Sequence, residues 1–263
     1  MLKFAGGGHF GFLPVLGEPT TDPDLLSRIR YVRRLSCNHK ISLTTNGILL
    51  DRFGIHEILD SGLNSISIST SGFDKEMYKR VYGSNQYERM FNNIASLLEM
   101  NQKMGEPVYI EIEIRSDKSI RETMQSKDFH YIQSLTNNIH FLSRYDNWTG
   151  LISQKDLSGT MKIRKSKIFL RSPCKMLLWS PMIFENGDVG ACTCRDVYGL
   201  KGMYLGNILE TNLEDMFFGN RRRAIFKSFI KGKPPAVCRN CSRYIGWDTN
   251  LYAIHKSNKE KSK

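Results

Sequence analysis

Four cysteines in the C-terminal half constrain this chain more than any other feature. Cys174 and Cys192 flank Gly187 in a C-x12-G-x4-C spacing, and after a gap of 45 residues Cys238 and Cys241 form C-x2-C. A C-x2-C pair puts two sulfurs on one turn, so a single ion or cluster can take both with little backbone rearrangement. Between the first two cysteines, residues 179–184 and 189–194 read as strands joined through Glu185-Asn186-Gly187-Asp188. This is a hairpin closed by an Asn-Gly turn, which returns Cys192 toward Cys174. The spacing predicts one centre ligated by Cys174, Cys192, Cys238 and Cys241, with Cys194 as an alternate ligand. Tetrahedral zinc and an iron–sulfur cubane both take four thiolates, and spacing leaves the two open. Six cysteines in 263 residues are too sparse for a disulfide scaffold, and no secretory signal is visible.

A chain of this length buries a large core without staples. The expected count is one barrel-sized domain plus a small appendage. The longest uncharged apolar run, Phe4 to Gly17, is broken by three consecutive glycines, His9 and Pro14, and is too short to span a bilayer. A cytoplasmic protein without a membrane partner is expected. The net charge of +12 permits contact with nucleic acid without demanding it. Arg221-Arg222-Arg223 lies between Leu213, Met216, Phe217 and Ile225, Phe226, Phe229, as the wet stretch of an amphipathic helix would. The lysine-rich end reads as a solvated terminus, so nucleic acid is not assigned as a partner.

Up to about residue 150, short apolar runs alternate with helical periodicity, the βα pattern of a parallel sheet or barrel. Strands are predicted from His9 to Leu16, Ile41 to Thr45, Ser65 to Thr70, Tyr109 to Arg115 and Ile139 to Leu142. Asp22-Pro23 opens a helix carrying Leu25, Leu26, Ile29 and Val32; Ile55, Ile58 and Leu59 mark a short one; Met90, Phe91, Ile94, Leu97 and Leu98 form a broad apolar stripe. In Tyr109-Ile-Glu-Ile-Glu-Ile-Arg115, strict alternation puts three isoleucines on one face and Glu111 and Glu113 on the other. That second face is either a barrel interior or a solvated edge. Glu18, Asn46, Ser69, Arg115 and Asp146 recur at strand ends, where barrel enzymes gather their chemistry.

Gly17-Glu18-Pro19-Thr20 with Asp22-Pro23, Thr45-Asn46-Gly47, Ser67-Ile68-Ser69, Arg115 and the cysteine module together resemble a radical S-adenosylmethionine enzyme with a C-terminal SPASM or twitch domain. The resemblance implies an α/β fold: a partial (β/α) TIM-like barrel of radical-SAM type missing its first βα unit, plus a small cysteine-rich module. The implied division is a partial barrel over 1–150, a linker over 151–170, the auxiliary iron–sulfur domain over 171–250 and a basic disordered tail over 251–263. It further implies that Gly17 and Glu18 hold the amino group of S-adenosylmethionine, and that Ser67 and Arg115 approach its ribose or carboxylate. Leu16 replaces a glycine of the family's GGEP segment, and Ser69 an aspartate. The family's C-x3-C-x2-C triad is absent before Gly17, where no cysteine occurs.

The implied function is the C-terminal portion of a radical enzyme. It binds an auxiliary 4Fe-4S cluster and, when complete, modifies a peptide, sugar or similar small molecule by hydrogen abstraction. S-adenosylmethionine is the cofactor of the complete enzyme, and flavodoxin or ferredoxin the electron donor. The chain by itself is expected to be inactive, and no catalytic residue is assigned. The alternative is a non-catalytic metal-binding scaffold or electron carrier, with iron–sulfur or four-cysteine zinc, that has lost radical chemistry.

Overall fold

Alternating apolar and polar residues in five short segments build a sheet with two unlike faces. A computed structural model describes residues 8–14, 17–35, 37–164, 172–193 and 202–247. In it β1 (His9–Phe12), β2 (Lys40–Thr45), β3 (Ser65–Ser71), β4 (Tyr109–Arg115) and β5 (Ile139–Phe141) pair in parallel, in the order β1-β2-β3-β4-β5. Parallel neighbours need a crossover, and crossovers share one hand, so sequential strand order puts the connecting helices on one face. Those connections carry α1 (Leu25–Leu35), α2 (Ile55–Leu59), α3 (Lys75–Tyr82), α4 (Tyr87–Lys103), α5 (Ile120–Thr123) and α6 (Lys127–Leu135).

The apolar face carries Ile41, Leu43, Ile66, Ile68, Ile110, Ile112 and Ile114, all buried in one core with Ile29, Ile58, Met90, Ile94, Leu97, Phe129 and Ile132 from the helices. Strand alternation and helix periodicity point at the same core, which makes this unit locally and globally consistent. Sequence reading missed α3 and α6. α3 starts where the Asp74 carboxylate accepts from Met77 N–H at 2.7 Å and stops at Gly83, whose φ is +63°. Ser126 caps α6 by accepting from Phe129 N–H at 3.0 Å. β1 ends at Phe12, short of the predicted strand; Val15 and Leu16 lie outside the described residues.

The chain divides into two units. The sheet unit comprises the described residues through Tyr145 together with Leu157–Lys162, and Asp146–Asp156 with the described residues from Ile163 onward form the other. β6 (Arg144–Tyr145) and β7 (Lys162–Ile163) are two-residue strands. Asp146, expected at a strand end of the sheet, belongs instead to the second unit. It pairs with Arg243 at 3.2 Å and accepts from the Ser242 hydroxyl at 2.9 Å.

In the second unit α7 (Met176–Trp179) precedes β8 (Met182–Ile183), β9 (Asp188–Gly190) and β10 (Tyr204–Asn207), an antiparallel sheet in the order β10-β9-β8. The Asn-Gly hairpin forms, with Ile183 opposite Val189. Trp179, expected in its first strand, closes a helical turn instead, because Leu177 packs into the core from that turn. Gly187 has φ +86°, and a Cβ there would meet the Asn207 Oδ1 at 2.7 Å, so the turn requires glycine. The stretch from Leu213, expected as one amphipathic helix, is two: α8 (Leu213–Phe218) and α9 (Asn220–Ile230), with Gly219 between them. Arg222 is not part of a wet stretch. Its guanidinium lies 3.7 Å over the Phe217 ring and donates to the carbonyls of Leu177, Leu178 and Phe217. α10 (Ala236–Arg239) leads into Cys241. No helix among the described residues is long and apolar enough to cross a membrane.

Candidate functional site

Two loops at the C-terminal side of the sheet meet on one carboxylate. Glu18 Oε1 accepts from Thr20 N–H at 3.3 Å, from the Thr20 hydroxyl at 2.9 Å and from the Thr45 hydroxyl at 2.6 Å, while Oε2 accepts from Asn46 N–H at 2.7 Å. A carboxylate has two oxygens and about four lone-pair sites. Glu18 meets four donors of its own chain, three on Oε1 and one on Oε2, so it ties the Gly17–Thr20 turn to the Thr45-Asn46-Gly47 turn while Oε2 keeps room for a further donor. Gly17 has φ +86° and open space where a Cβ would sit, so it serves the turn's conformation. Gly47 has φ +81° and lies where a Cβ would meet Ile94 at 3.1 Å. Buried Asn93 donates to the carbonyls of Gly47 and Ile48 at 3.1 and 2.9 Å, fixing the second turn from α4.

The helix-free face of the sheet is polar in ordered rows. Thr44 neighbours Ser67, which neighbours Glu111; one row further Ser69 neighbours Glu113, which neighbours His140; then Ser71 neighbours Arg115. Thr44, Ser67, Ser69, Glu111, Glu113 and Arg115 are half-buried. Ser69 lies inside β3, two residues short of its end. The Arg115 guanidinium donates to the Tyr82 hydroxyl at 3.1 Å. Burial pushes the neighbouring Tyr145 phenol up, partly opposed by the charge of Arg115.

The cysteines sit in the other unit, around one small core. Cys174 and Cys238 belong to the buried cluster with Leu177, Val189, Met203, Leu205 and Phe229, and half-buried Cys192 packs against it. Cys241 is buried too, one turn past Cys238, and its N–H reaches the Cys238 carbonyl at 3.4 Å. Cys174 forms an antiparallel bridge with Gly246, and its Sγ accepts from Ile245 N–H at 3.5 Å. Cys238 Sγ lies 3.9 Å from Met203 Sδ. Three separate segments thus bring soft sulfur donors to one core, the chemistry that an iron–sulfur cluster takes. Among the described residues no three His, Cys, Asp or Glu side chains close around a point as they would on a bare ion. Cys194 lies outside the described residues, as do the expected basic tail and the last part of the expected linker.

A sequentially ordered parallel sheet with helices on one face and polar rows on the other, followed by a sulfur-rich module, defines an α/β protein of the partial-barrel class. Residues 7–124 match the radical SAM superfamily, and residues 174–242 match SPASM, an iron-sulfur cluster-binding domain. The chain thus contains a radical SAM superfamily domain and, toward its C-terminus, an iron–sulfur cluster-binding domain. The second match opens on Cys174 and closes one residue past Cys241.

A probable GTP 3',8-cyclase of Methanococcus aeolicus is 41% identical over 71 residues, 26% of this chain and 23% of that protein. A probable GTP 3',8-cyclase of Saccharolobus islandicus is 26% identical over 117 residues, 40% of this chain and 37% of that protein. The matched stretches thus span well under half of these curated relatives. Among solved structures, native anSMEcpe with bound AdoMet and Kp18Cys peptide superposes with a TM-score of 0.55 at 17% identity, over 87% of this chain and 72% of that one. BtrN in complex with AdoMet and 2-DOIA gives 0.52 at 14% identity, over 89% and 72%. At such identity these two show the fold alone. The family matches support an iron–sulfur cluster and S-adenosylmethionine, and give no support to the zinc alternative.

Proposed function

We propose that this chain supplies the substrate-facing sheet and the auxiliary-cluster module of a radical SAM enzyme that modifies a small molecule or peptide by hydrogen abstraction. The observation that carries the reading is the gathering of Cys174, Cys192 and Cys238 on one buried core with Cys241 one turn away, within the cluster-binding match. Those four residues are the assigned ligands of a 4Fe-4S cluster. When bound, the cluster and S-adenosylmethionine supply the radical and electron-transfer chemistry, and the protein supplies orientation and shielding.

The residues assigned to S-adenosylmethionine are Gly17, Glu18, Ser67 and Arg115. Glu18 holds two turns and keeps an acceptor site on Oε2, which carries a single donor, for the amino group. The backbone it fixes around Gly17 shares in receiving that group. Arg115, held by Tyr82, offers a guanidinium to a carboxylate, and Ser67 a hydroxyl to a ribose. A soluble one-electron donor of the flavodoxin or ferredoxin class, in the cytoplasm, completes the reading. The domain division expected from sequence, 1–150 and 171–250 about a linker, is retained as part of this proposal.

Anaerobic reconstitution followed by metal and sulfide analysis tests it. About four iron and about four sulfide per chain are expected, as a four-thiolate cubane requires. Stoichiometric zinc without sulfide overturns it in favour of a metal-stabilised scaffold.

A further inference from the structure

Cys241 is gripped on both sides by a residue from far earlier in the chain. The Asn147 side-chain amide donates to the Asn240 carbonyl at 2.7 Å, and its Oδ1 accepts from Ser242 N–H at 3.1 Å. One side chain thus brackets the cysteine at the residue before it and the residue after it. Asn147 N–H donates to the Ser242 hydroxyl at 2.9 Å, and that hydroxyl donates to Asp146 Oδ1, also at 2.9 Å. Ser242 is buried, and its hydroxyl is used as acceptor and donor at once. The second Asp146 oxygen accepts from Arg243 Nε at 3.2 Å. All of these residues belong to the module.

The turn that carries the C-x2-C pair is poorly held by its own bonds. Cys241 N–H to the Cys238 carbonyl and Tyr244 N–H to the Cys241 carbonyl both measure 3.4 Å, longer than an ordinary N–H···O bond. The helix leading into it, α10, has four residues, too few to stand without tertiary support. The gripping segment is itself strained: Trp148 and Thr149, directly after Asn147, have φ of +47° and +59°, a region that a β-branched residue rarely enters. Such conformations persist where the surroundings over-determine them, and they gather at functional sites. A Cβ added to Gly150 would touch the Asn240 side chain at 3.5 Å, so the segment lies directly against the turn.

We infer that Asn147 is a positioning residue for the cluster: it fixes the backbone on both sides of Cys241, so that this sulfur is presented to iron in one orientation. Asp146 and Ser242 hold Asn147 in place. The inference rests on the proposed function's reading of Cys241 as a ligand. Asn147 precedes the cluster-binding match, which begins at residue 174, and no cysteine spacing points to it. Residues that orient a metal ligand from behind change metal affinity by about ten- to a hundredfold when they are removed.

Asn207 supplies the control. It makes a comparable set of bonds in the same module, to the Asn186 carbonyl, Asp188 Oδ1 and Leu209 N–H at 3.0, 3.0 and 2.9 Å, and none of these partners adjoins a cysteine. The test compares the full chain, reconstituted anaerobically, with its Asn147→Ala, Ser242→Ala and Asn207→Ala variants. Iron release to a chelator and the electron paramagnetic resonance spectrum of the reduced cluster are read beside urea unfolding. Asn147→Ala is expected to release iron roughly tenfold faster and to shift or broaden the spectrum. Ser242→Ala keeps the amide bracket and should move both readings in the same direction by less. Asn207→Ala should lower stability and leave release and spectrum as in wild type. Wild-type release and spectrum in Asn147→Ala overturn the inference, and so does an equal change in Asn207→Ala, which means a general loosening of the module. If Asn147→Ala does not fold, Ser242→Ala decides by the same two readings. Iron and sulfide on the wild type keep the two readings apart: a loaded wild type with an indifferent Asn147→Ala sinks this inference alone, and a wild type that takes up no cluster sinks the proposed function together with it.

Discussion

The sheet unit and the cysteine module reach order by different routes. In the sheet unit, buried isoleucines from three central strands meet the apolar faces of helices up to 17 residues long, and one continuous core results. In the module the strands have two to four residues, the longest helix has 11, and the core includes two of the proposed ligands, Cys174 and Cys238. The first can fold on hydrophobic periodicity. The second is a small core that cannot bury much, and domains of that kind commonly depend on a metal. On the proposed ligation, the chemistry of the module is also its structural support, whereas the polar face of the sheet is carried by a scaffold with a core of its own.

The largest expected effect follows from that dependence. Cys238→Ser should lose most of the bound iron and make residues 202–247 sensitive to limited proteolysis, while the sheet unit stays resistant. Resistance of the module in the variant would show that it stands without its cluster. Next in size, Phe129→Ala opens a cavity in the sheet core and should lower stability by about 3–5 kcal/mol in urea unfolding, with iron content per folded molecule unchanged.

Glu18→Ala should come third. It strands the buried Thr20 and Thr45 hydroxyls and Asn46 N–H, costing about 3 kcal/mol. S-adenosylmethionine binding should weaken with it. Unaltered stability together with weakened binding would show that Glu18 acts by direct contact with the ligand and not through the two turns.

The smallest effect concerns pH. The Arg89 guanidinium, hydrogen-bonded to Asp51 through two contacts of 2.9 Å, holds its carboxyl below the usual carboxylate range, against an opposing effect of burial. A depressed carboxyl contributes stability above its unfolded pKa and loses it as pH falls through the folded one. Unfolding measured from neutral pH to below the ordinary carboxylate range should therefore show a shallow loss on acidification that Asp51→Asn lacks. For an exposed pair the difference should stay under about 1 kcal/mol.

Period-two alternation made β3 and β4 legible in the sequence, and with them the opposition of isoleucines to glutamates. Whether Glu111 and Glu113 faced water at an edge or a sheltered face was not legible, because that depends on strand order and on which side the helices fall. α3 and α6 escaped notice because each is short and buries few side chains, Met77 and Tyr78 in one and Phe129 and Ile132 in the other. The apolar run Leu177-Leu178-Trp179 fits helix and strand equally, and the packing of Leu177 decides for a helical turn. The cysteine spacing located the proposed ligands, yet the role of Arg222 could not be read from a basic triplet, since two of its three carbonyl partners, Leu177 and Leu178, lie 45 and 44 residues away. Glu18 was legible as a strand-end carboxylate, but its engagement with Thr45 and Asn46 is a tertiary fact.

The central claim is that the module's fold and its iron–sulfur cluster are coupled while the sheet unit stands apart from that coupling. Hydrogen exchange of the reconstituted protein, compared with the same protein after chelation, tests it most directly. The account predicts that residues 172–193 and 202–247 lose protection when the cluster is removed, and that β3, β4 and α4 keep theirs. Equal protection of the module in both states would contradict it.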